Sequence, residues 1–456
     1  MGTWHFITIT VRKKTRPCTI SLEKAKREYS NEEAIRFFEK ALELEDNPKK
    51  RMEMYEALGD IYFLVCNYDK SIQTYGIAKD LLNEKKKPEI MAKIGGVLQK
   101  QGEHDECIRI CNDALDLVGD NESKEKALAF ENIGMVYWDR ADHQRALEYF
   151  EKSLKIREKI NDQKGIARSH INIYYVYIIL LEPDKPREHA EKSLKISEEI
   201  GNQQGIAESL QAIGVTIGEM GYDDRLSIQY CEKSLKIWEK IGDQREIARA
   251  LNNIGYGYKA IGEFTIALDY YKKSLDIFER ICYPYGIAWV LLHLGILYSD
   301  QGDIEIALDY LEKSQKISKK NNIHILYMQT NRAISNAYFN LKDYEKALYL
   351  SNEAYELSKK LNNKSEIVKS MEILARIFAS MKNWNASIKY YMESYRIRKD
   401  LGPYSLANLT YNFGLMWRDK GDIDNAKKYL NEALDIYKRL KREKELIKVK
   451  IELEKL

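Results

Sequence analysis

A repeat of about 40 residues runs through most of the 456-residue chain and limits its possible folds more than any other feature. Successive copies of one marker position lie 36 to 41 residues apart. A fixed period of this length is typical of solenoids, in which each unit packs only on its neighbours. Ten marker residues define the repeats: Gly59, Gly95, Gly134, Tyr174, Gly214, Gly255, Gly295, Ser335, Ala375 and Gly414.

Each repeat carries two helical patterns. An apolar residue precedes the marker and a large side chain follows it by three positions, as in Ile254 and Tyr258. These spacings place both side chains on one face of a first helix. Further along come a small, a larger and a small residue, as in Ala267, Tyr271 and Ser274. Their i, i+4, i+7 spacing predicts the buried stripe of a second helix, so the unit is a predicted helix–turn–helix.

The residues around Gly255 resemble the tetratricopeptide repeat, and the match is close over residues 247–286. The resemblance extends over about residues 31 to 440. It implies an all-α fold, a right-handed superhelical solenoid of about ten repeats, with a concave groove lined mainly by the first helices. The units exceed the usual length of about 34 residues. In their greater length the units are similar to those in the arrays of Rap-type regulators, kinesin light chains and the LGN family of adaptors.

The pattern divides the chain into four predicted segments. Residues 1–20 form an extension, either disordered or strand-like, because residues 4–11 alternate like a strand. Residues 21–50 are expected to form a degenerate first repeat and residues 51–440 the array. Residues 441–456 should form a capping helix, since an array needs a polar-backed cap on its last core face.

The repeat centred on Tyr174 is irregular, because a bulky ring replaces the small marker residue. Pro186 occupies the place of the small residue in the second helix. Proline is tolerated at the start of a helix, so we expect the second helix to begin at about Pro186. A bend in the superhelix is the favoured interpretation of this repeat, and a functional hinge is the alternative.

Composition excludes several classes of protein. Lys+Arg 73 against Asp+Glu 70 gives a net charge of +3, whereas a nucleic-acid binder usually shows a clear basic excess. No apolar run reaches the length of about 18 residues that a membrane span needs. The six cysteines show no CxxC spacing, which favours a reduced, cytoplasmic compartment. No metal site, cofactor or catalytic motif is expected, because HExxH, Walker-type and GxSxG patterns do not occur.

Candidate partner-binding residues lie on the predicted groove face of the first helices. Asparagine offers donors and an acceptor to a peptide backbone, arginine favours carboxylates, and aromatic side chains are typical interface anchors. Hydrogen bonding or packing between repeats is the competing explanation for each of them. The candidates are Asn132, Trp138, Arg168, Asn172, Tyr175, Arg249, Asn252, Asn253, Tyr256, Trp289, Arg332, Asn336, Lys369, Arg376, Asn408 and Asn412.

The resemblance also allows one specific ligand mode to be checked. The family's clamp for a terminal carboxylate needs basic and Asn residues at fixed places in three consecutive repeats. Arg332 and Asn336 supply the first pair, but Arg376 stands where Asn is expected. We therefore do not expect chaperone-tail recognition.

The function expected from the sequence is that of a non-enzymatic adaptor that binds a peptide or helix of a partner protein in the groove. The alternative is a peptide-responsive signalling regulator of the Rap type. Against that alternative, only about 30 residues precede the first matched helix, whereas Rap-like proteins carry a separate N-terminal helical bundle. The sequence does not indicate an oligomeric state.

Overall fold

The computed structural model describes residues 9–13, 16–20, 31–65, 67–140, 142–180, 185–219, 223–399, 403–440 and 442–456. It divides the chain into two compact units, Met1–Ser169 and His170–Leu456. The described residues contain 22 α-helices, one antiparallel hairpin and a short 3-10 helix, Glu84–Lys86. The prediction of an all-α array is confirmed.

In the first unit the strands are β1 (Ile9–Lys13) and β2 (Arg16–Ile20). Its helices are α1 (Asn31–Leu44), α2 (Pro48–Leu64), α3 (Tyr68–Asp80), α4 (Lys87–Gln101), α5 (His104–Val118), α6 (Lys124–Asp139) and α7 (His143–Lys159). The boundary between the units falls within α8 (Gln163–Leu180).

The helices of the second unit follow in the same alternating order. They are α9 (Lys185–Glu199), α10 (Gln203–Glu219), α11 (Asp224–Ile241), α12 (Gln244–Ala260), α13 (Phe264–Arg280), α14 (Pro284–Gln301), α15 (Ile304–Lys320), α16 (His324–Asn340), α17 (Tyr344–Lys360), α18 (Lys364–Ser380), α19 (Trp384–Arg398), α20 (Pro403–Lys420), α21 (Ile423–Arg439) and α22 (Glu443–Glu454). The marker residues lie on the even-numbered helices α2 to α20, which are the first helices of the ten repeats.

The marker residue is small because the second helix lies directly against its backbone. A Cβ atom added to Gly255 would lie 2.8 Å from the ring of Tyr271, and one added to Gly295 would lie 2.5 Å from Leu311. Real Cβ atoms do not approach carbon that closely, so a glycine at these points allows the two helices of a repeat to pack in contact.

Several of the recurring small residues are serines that form hydrogen bonds. Ser227 Oγ donates to the Gly214 carbonyl at 2.7 Å, and Ser274 Oγ donates to the Ala248 carbonyl at 2.7 Å. Both serines are buried. Because a buried hydroxyl must be satisfied, these bonds link each second helix to the first helix of its own repeat.

The irregular repeat exchanges its large and small residues. Tyr174 is 2% exposed and packs in one cluster with Ala190, which occupies the position of Tyr271 in the regular repeat. A large side chain on the first helix thus meets a small one on the second, the reverse of the arrangement at Gly255 and Tyr271. The second helix begins at Lys185, as the position of Pro186 predicts. A functional role as a hinge remains a prediction.

The turns require left-handed backbone at fixed places. Between repeats, Asn161, Gly201, Gly242, Asn322 and Asn362 have positive φ, as the cap pattern indicates. Cys282 takes the same conformation, whereas Gly402 lies outside the described residues. Within repeats, the turn position is glycine at Gly102, Gly262, Gly302 and Gly421 but lysine at Lys342 and Lys382, all with positive φ.

The two ends of the array differ. β1 pairs with β2 in the register Ile9↔Ile20 to Lys13↔Arg16, so residues 9–11 of the strand-like stretch lie in a strand. Residues 4–8 and 21–30, including the first helix expected for the degenerate repeat, lie outside the described residues. At the other end, Val449 is fully buried in a cluster with Leu446 and Leu453, and α22 covers the last repeat.

The exchange at Tyr174 predicts a compensating pair of mutations. Tyr174→Ala should destabilise the fold by about 4 kcal/mol because it opens a cavity, and Ala190→Tyr by about 2 kcal/mol because it overpacks the site. The double variant recreates the pairing of Ala375 with Tyr391 and should recover most of the loss. A double-mutant cycle by denaturant unfolding measures the coupling, and strictly additive effects would contradict the exchange.

The lysine turns predict a stabilising substitution. Lys342 has φ +62°, a conformation that costs a side-chain-bearing residue about 1 kcal/mol relative to glycine. Lys342→Gly should therefore raise the local stability of α16 and α17 by about that amount. Native-state hydrogen exchange of those helices measures it. Lys342→Ala, which removes the same side chain but keeps the strain, is the control and should not stabilise.

Candidate functional site

A cavity of about 440 Å³ opens on the inner face of five successive first helices in the second unit. Those helices are α10, α12, α14, α16 and α18, and α14 contributes more lining residues than any other helix. The side chains used below are Glu219 on α10; Asn253, Tyr256 and Lys259 on α12; Trp289, His293 and Asp300 on α14; Gln329, Arg332 and Asn336 on α16; and Lys369 on α18. Where one helix contributes several of these side chains, successive ones are three, four or seven residues apart, which is the spacing of one helical face.

A buried carboxylate organises the basic side of the cavity. Glu366, in the first turn of α18, is 2% exposed. Its oxygens lie 3.3 Å from Arg332 Nε and 3.4 Å from Lys369 Nζ, and it accepts a 3.3 Å hydrogen bond from Gln329. Burial opposes ionisation, but Lys369 and Arg332 outweigh it and hold the pKa of Glu366 below its usual value. The carboxylate therefore stays charged and fixes both cations at the cavity wall.

Arg332 is held at one end only. Its Nε faces Glu366, and within the described part of the chain no hydrogen bond or ion pair involves its terminal Nη groups. Its side chain is 24% exposed. A guanidinium fixed in this way presents a planar pair of donors, which suits a carboxylate or another bidentate anion.

Glu219 is the opposing charge. The side chain is exposed to the cavity, but protein surrounds it on the concave side. This partial loss of solvent raises the pKa of Glu219, Lys369 acts in the opposite direction, and the Glu366 carboxylate adds to the rise. Among the described residues Glu219 has no hydrogen-bond or ion-pair partner. It is therefore available to a cationic group of a ligand.

The floor of the cavity is aromatic around one imidazole. The His293 ring lies 5.7 Å from Tyr256, 5.6 Å from Tyr271 and 5.4 Å from Trp289, measured between ring centroids. Its Nδ1 lies 3.0 Å from Asn252 Oδ1, so Nδ1 carries the proton. Burial, with a smaller contribution from Lys259, lowers the pKa of His293 to about 3, and the ring is neutral at physiological pH.

Lys259 does not offer its charge to a ligand. Its Nζ lies 2.7 Å from Asp300 Oδ2, in an ion pair between neighbouring first helices at the cavity wall. Among the described residues, the cavity groups without a hydrogen-bond or ion-pair partner thus include the Arg332 Nη groups, the Glu219 carboxylate, the Asn253 amide and the Asn336 amide nitrogen.

The structure brings six of the sixteen predicted residues together at this cavity: Asn253, Tyr256, Trp289, Arg332, Asn336 and Lys369. Their role in partner binding remains a prediction. Asn336 also accepts a 3.4 Å hydrogen bond from Arg376, so Arg376 lies beside the cavity and supports its wall.

Two predicted residues, Asn132 and Asn252, are buried and hydrogen-bonded between repeats. Asn132 is buried and its Nδ2 donates to the Ala92 carbonyl at 2.7 Å. Asn252 is fully buried and bonded to His293. In both cases the observed contact is the competing explanation, a hydrogen bond between repeats. An asparagine that faces the neighbouring first helix is buried, and its amide needs a hydrogen-bond partner there. Neither is exposed for contact with a partner.

The other candidates are not among the residues that line the cavity. In the first unit, the Trp138 ring lies 5.1 Å from His143 and Arg168 pairs with buried Glu131 at 2.7 Å. In the second, Arg249 donates to the Tyr175 hydroxyl, and Asn408 accepts from Tyr437 at 2.6 Å. Asn172 and Asn412 are half-buried.

The sequence reasoning missed Glu219, His293, Gln329 and Glu366. One signal was present for the last of these, because a glutamate stands three residues before Arg249 and before Lys369, at Glu246 and Glu366, and both are buried. An acid at that spacing on a helix partners the base. For Glu219 there was no signal, since its neighbours come from a helix more than 140 residues away in the chain.

The match to a known family decides the class of the protein. The family model described as tetratricopeptide repeat matches residues 88–159, 223–280, 286–360 and 366–439, together more than half of the chain. The chain belongs to the tetratricopeptide repeat family. No curated protein matches the sequence. Within the described residues, no helix has the length and apolar character to cross a bilayer.

Solved tetratricopeptide repeat structures share the fold at low identity. A Rap protein in complex with Competence and Sporulation Factor aligns with TM-score 0.58 and 14% identity over 79% of this chain and 99% of its own. The Rap conjugation regulator of plasmid pLS20 in complex with the Phr* peptide gives 0.52 and 17%, over 78% and 96%. The apo quorum sensor NprR from B. thuringiensis gives 0.50 and 18%, over 74% and 98%. At these identities the likeness concerns the fold alone.

The depressed pKa of His293 predicts a pH dependence of stability. Its folded value of about 3 lies below the ordinary value of about 6.5, so only the unfolded chain binds this proton between the two. Titration of His293 therefore does not reduce the free energy of unfolding above about pH 6.5. Below that pH the free energy of unfolding decreases as the pH falls toward 3. At pH 5 the loss amounts to about 2 kcal/mol.

Denaturant unfolding of the wild type and of His293→Phe at pH 7 and pH 5 measures this contribution. The variant should lose less stability than the wild type over that interval. His324→Phe, at an exposed histidine, is the matched control and should follow the wild type. Equal pH slopes for all three proteins would contradict the prediction.

Proposed function

We propose that the chain is a non-enzymatic interaction module whose cavity between α10 and α18 binds a short peptide segment and anchors one of its carboxylates on Arg332. The observation that carries the proposal is the 3.3 Å ion pair between Arg332 Nε and buried Glu366, which leaves both Nη groups available. Lys369 lies beside it on the same acid. Because the ion pair already restricts the guanidinium, binding a carboxylate there carries a smaller ordering cost than binding to an unpaired arginine.

The rest of the lining suits an extended peptide. Asn253 and Asn336 provide amides for backbone hydrogen bonds. Trp289 and Tyr256 supply large, rigid apolar surfaces of the kind that dominate binding energy at interfaces. The volume of about 440 Å³ lies within the range of pockets that hold small ligands, about 300–1,000 Å³. The site therefore favours a few residues of peptide over a folded surface.

The proposed mode differs from the terminal-carboxylate clamp of the family. In the present site the bases of two adjacent first helices converge on one buried acid, whereas the clamp spreads its contacts over three repeats. The proposal also keeps the reduced, cytoplasmic setting expected from the sequence, and the buried thiols of Cys107, Cys111 and Cys231 are free cysteines.

A second candidate is a peptide-responsive regulator. Five successive first helices line one cavity, so a ligand that contacts all of them would couple the spacing of the repeats to its own binding. Two proteins of the same fold were solved with a peptide or signalling factor, the Rap protein with Competence and Sporulation Factor and the pLS20 regulator with Phr*. This candidate predicts a smaller radius of gyration by X-ray scattering when an enriched peptide is added. An adaptor predicts no change.

The test is an affinity selection of random hexapeptides with free C-termini on the wild-type protein, followed by fluorescence polarisation of the enriched peptides. Arg332→Gln should weaken binding by about 10- to 100-fold, because a bidentate charged contact is lost. Lys364→Gln, at an exposed lysine of the same helix as Lys369, is the control and should bind like the wild type.

Amidated versions of the same peptides locate the carboxylate. Loss of affinity on amidation indicates the terminal group, and retained affinity with loss on Asp→Asn or Glu→Gln substitution in the peptide indicates a side chain. Failure to enrich any peptide, or equal affinity of the wild type and Arg332→Gln, would refute the proposal.

A further inference from the structure

One ion pair of the second unit joins residues that are far apart in the chain. Arg442 Nη1 lies 3.1 Å from Asp224 Oδ2, across 218 residues of sequence. The two side chains are only 19% and 13% exposed. Arg442 lies at the start of the capping helix α22, and Asp224 is the first residue of α11, directly after the helix that carries Glu219.

Both partners are held in place locally. The Arg442 backbone N–H donates to the Tyr437 carbonyl at 3.0 Å, and its Nη2 lies 3.2 Å from Glu445 in the first turn of α22. Next to Asp224, the Asp223 side chain caps α11 by accepting from the Leu226 N–H at 3.0 Å. The pair therefore connects the N-terminal ends of two helices, α11 and α22, through side chains that are held locally.

Such a contact is unusual for this architecture. In a repeat array each unit touches only its neighbours, so bending between units is opposed only by local contacts. A direct link between the first residue of α11 and the start of the capping helix closes the five repeats between them into one loop. Most of the cavity lining, from α11 to α18, belongs to that loop, and α10 directly precedes it. Glu219 on α10 and Lys369 on α18 also interact electrostatically across the cavity.

We propose that Arg442 and Asp224 form a clasp that holds the second unit closed around the cavity, and that opening this clasp controls access to the cavity. The proposal concerns the closed conformation and does not depend on which ligand the cavity binds. Removing one charge of the pair should loosen the loop without removing any core side chain.

A cysteine in the cavity lining can report access of a reagent to the cavity. Cys231 lines the cavity and is 1% exposed. Burial raises the pKa of its thiol to about 12, so alkylation requires an opening that admits water and reagent. Cys107 and Cys111 are also buried but lie in the first unit, far from the clasp in sequence. Their alkylation reports general unfolding.

The experiment follows alkylation of each cysteine by N-ethylmaleimide in the full-length protein, by peptide mass spectrometry and without any ligand. Arg442→Met and Asp224→Asn should each accelerate modification of Cys231 by about tenfold or more, as expected when a local opening becomes easier. The rates at Cys107 and Cys111 should not change. Arg442→Lys, which keeps the charge, should stay close to the wild type.

Matched controls remove charge elsewhere on similar helices. Arg439→Met and Asp424→Asn alter exposed residues of α21 and should leave the Cys231 rate unchanged. The double variant Arg442→Met/Asp224→Asn should react no faster than either single variant, because both remove the same pair. Wild-type Cys231 rates in the two single variants, or equal acceleration at Cys107, would overturn the clasp. Neither result would bear on peptide binding, which is tested separately.

Discussion

The close approach of the two helices within each repeat is the contact on which the rest of the structure depends. At Gly255 and Gly295 the side chain of the second helix rests on the backbone of the first, and only a very small marker residue permits this. The irregular repeat obeys the same constraint in reverse, with the ring on Tyr174 and the small residue at Ala190. What a repeat needs is at least one small residue in this pair, on either helix, so that the two helices can approach closely.

This packing leaves one face of each first helix uncovered, and the cavity is built from those faces. An open face does not by itself position charged groups. The buried Glu366 does so, because a carboxylate at 2% exposure must be paired, and its partners Arg332 and Lys369 come from two adjacent repeats. The need to neutralise one buried charge thus places two cations at the cavity wall.

The second unit combines local stacking with one distant link. Stacking gives a continuous core but little resistance to a change in the spacing of the repeats. The pair of Arg442 with Asp224 acts on that spacing directly, since it joins positions that stacking leaves independent. A module built in this way can keep a stable core while its cavity opens and closes.

The sequence by itself determined the helix–turn–helix repeat, the positions of the turns and the delayed helix at Pro186, because these depend on periodicity and on local backbone preference. It also assigned Arg332, Lys369 and Trp289 to one face of the first helices, and all three line the cavity. Only the tertiary structure decided that Asn252 is buried against His293, that Glu219 faces Lys369 and that Arg442 reaches Asp224. Those contacts depend on the accumulated rotation from one repeat to the next, a quantity that no single repeat encodes.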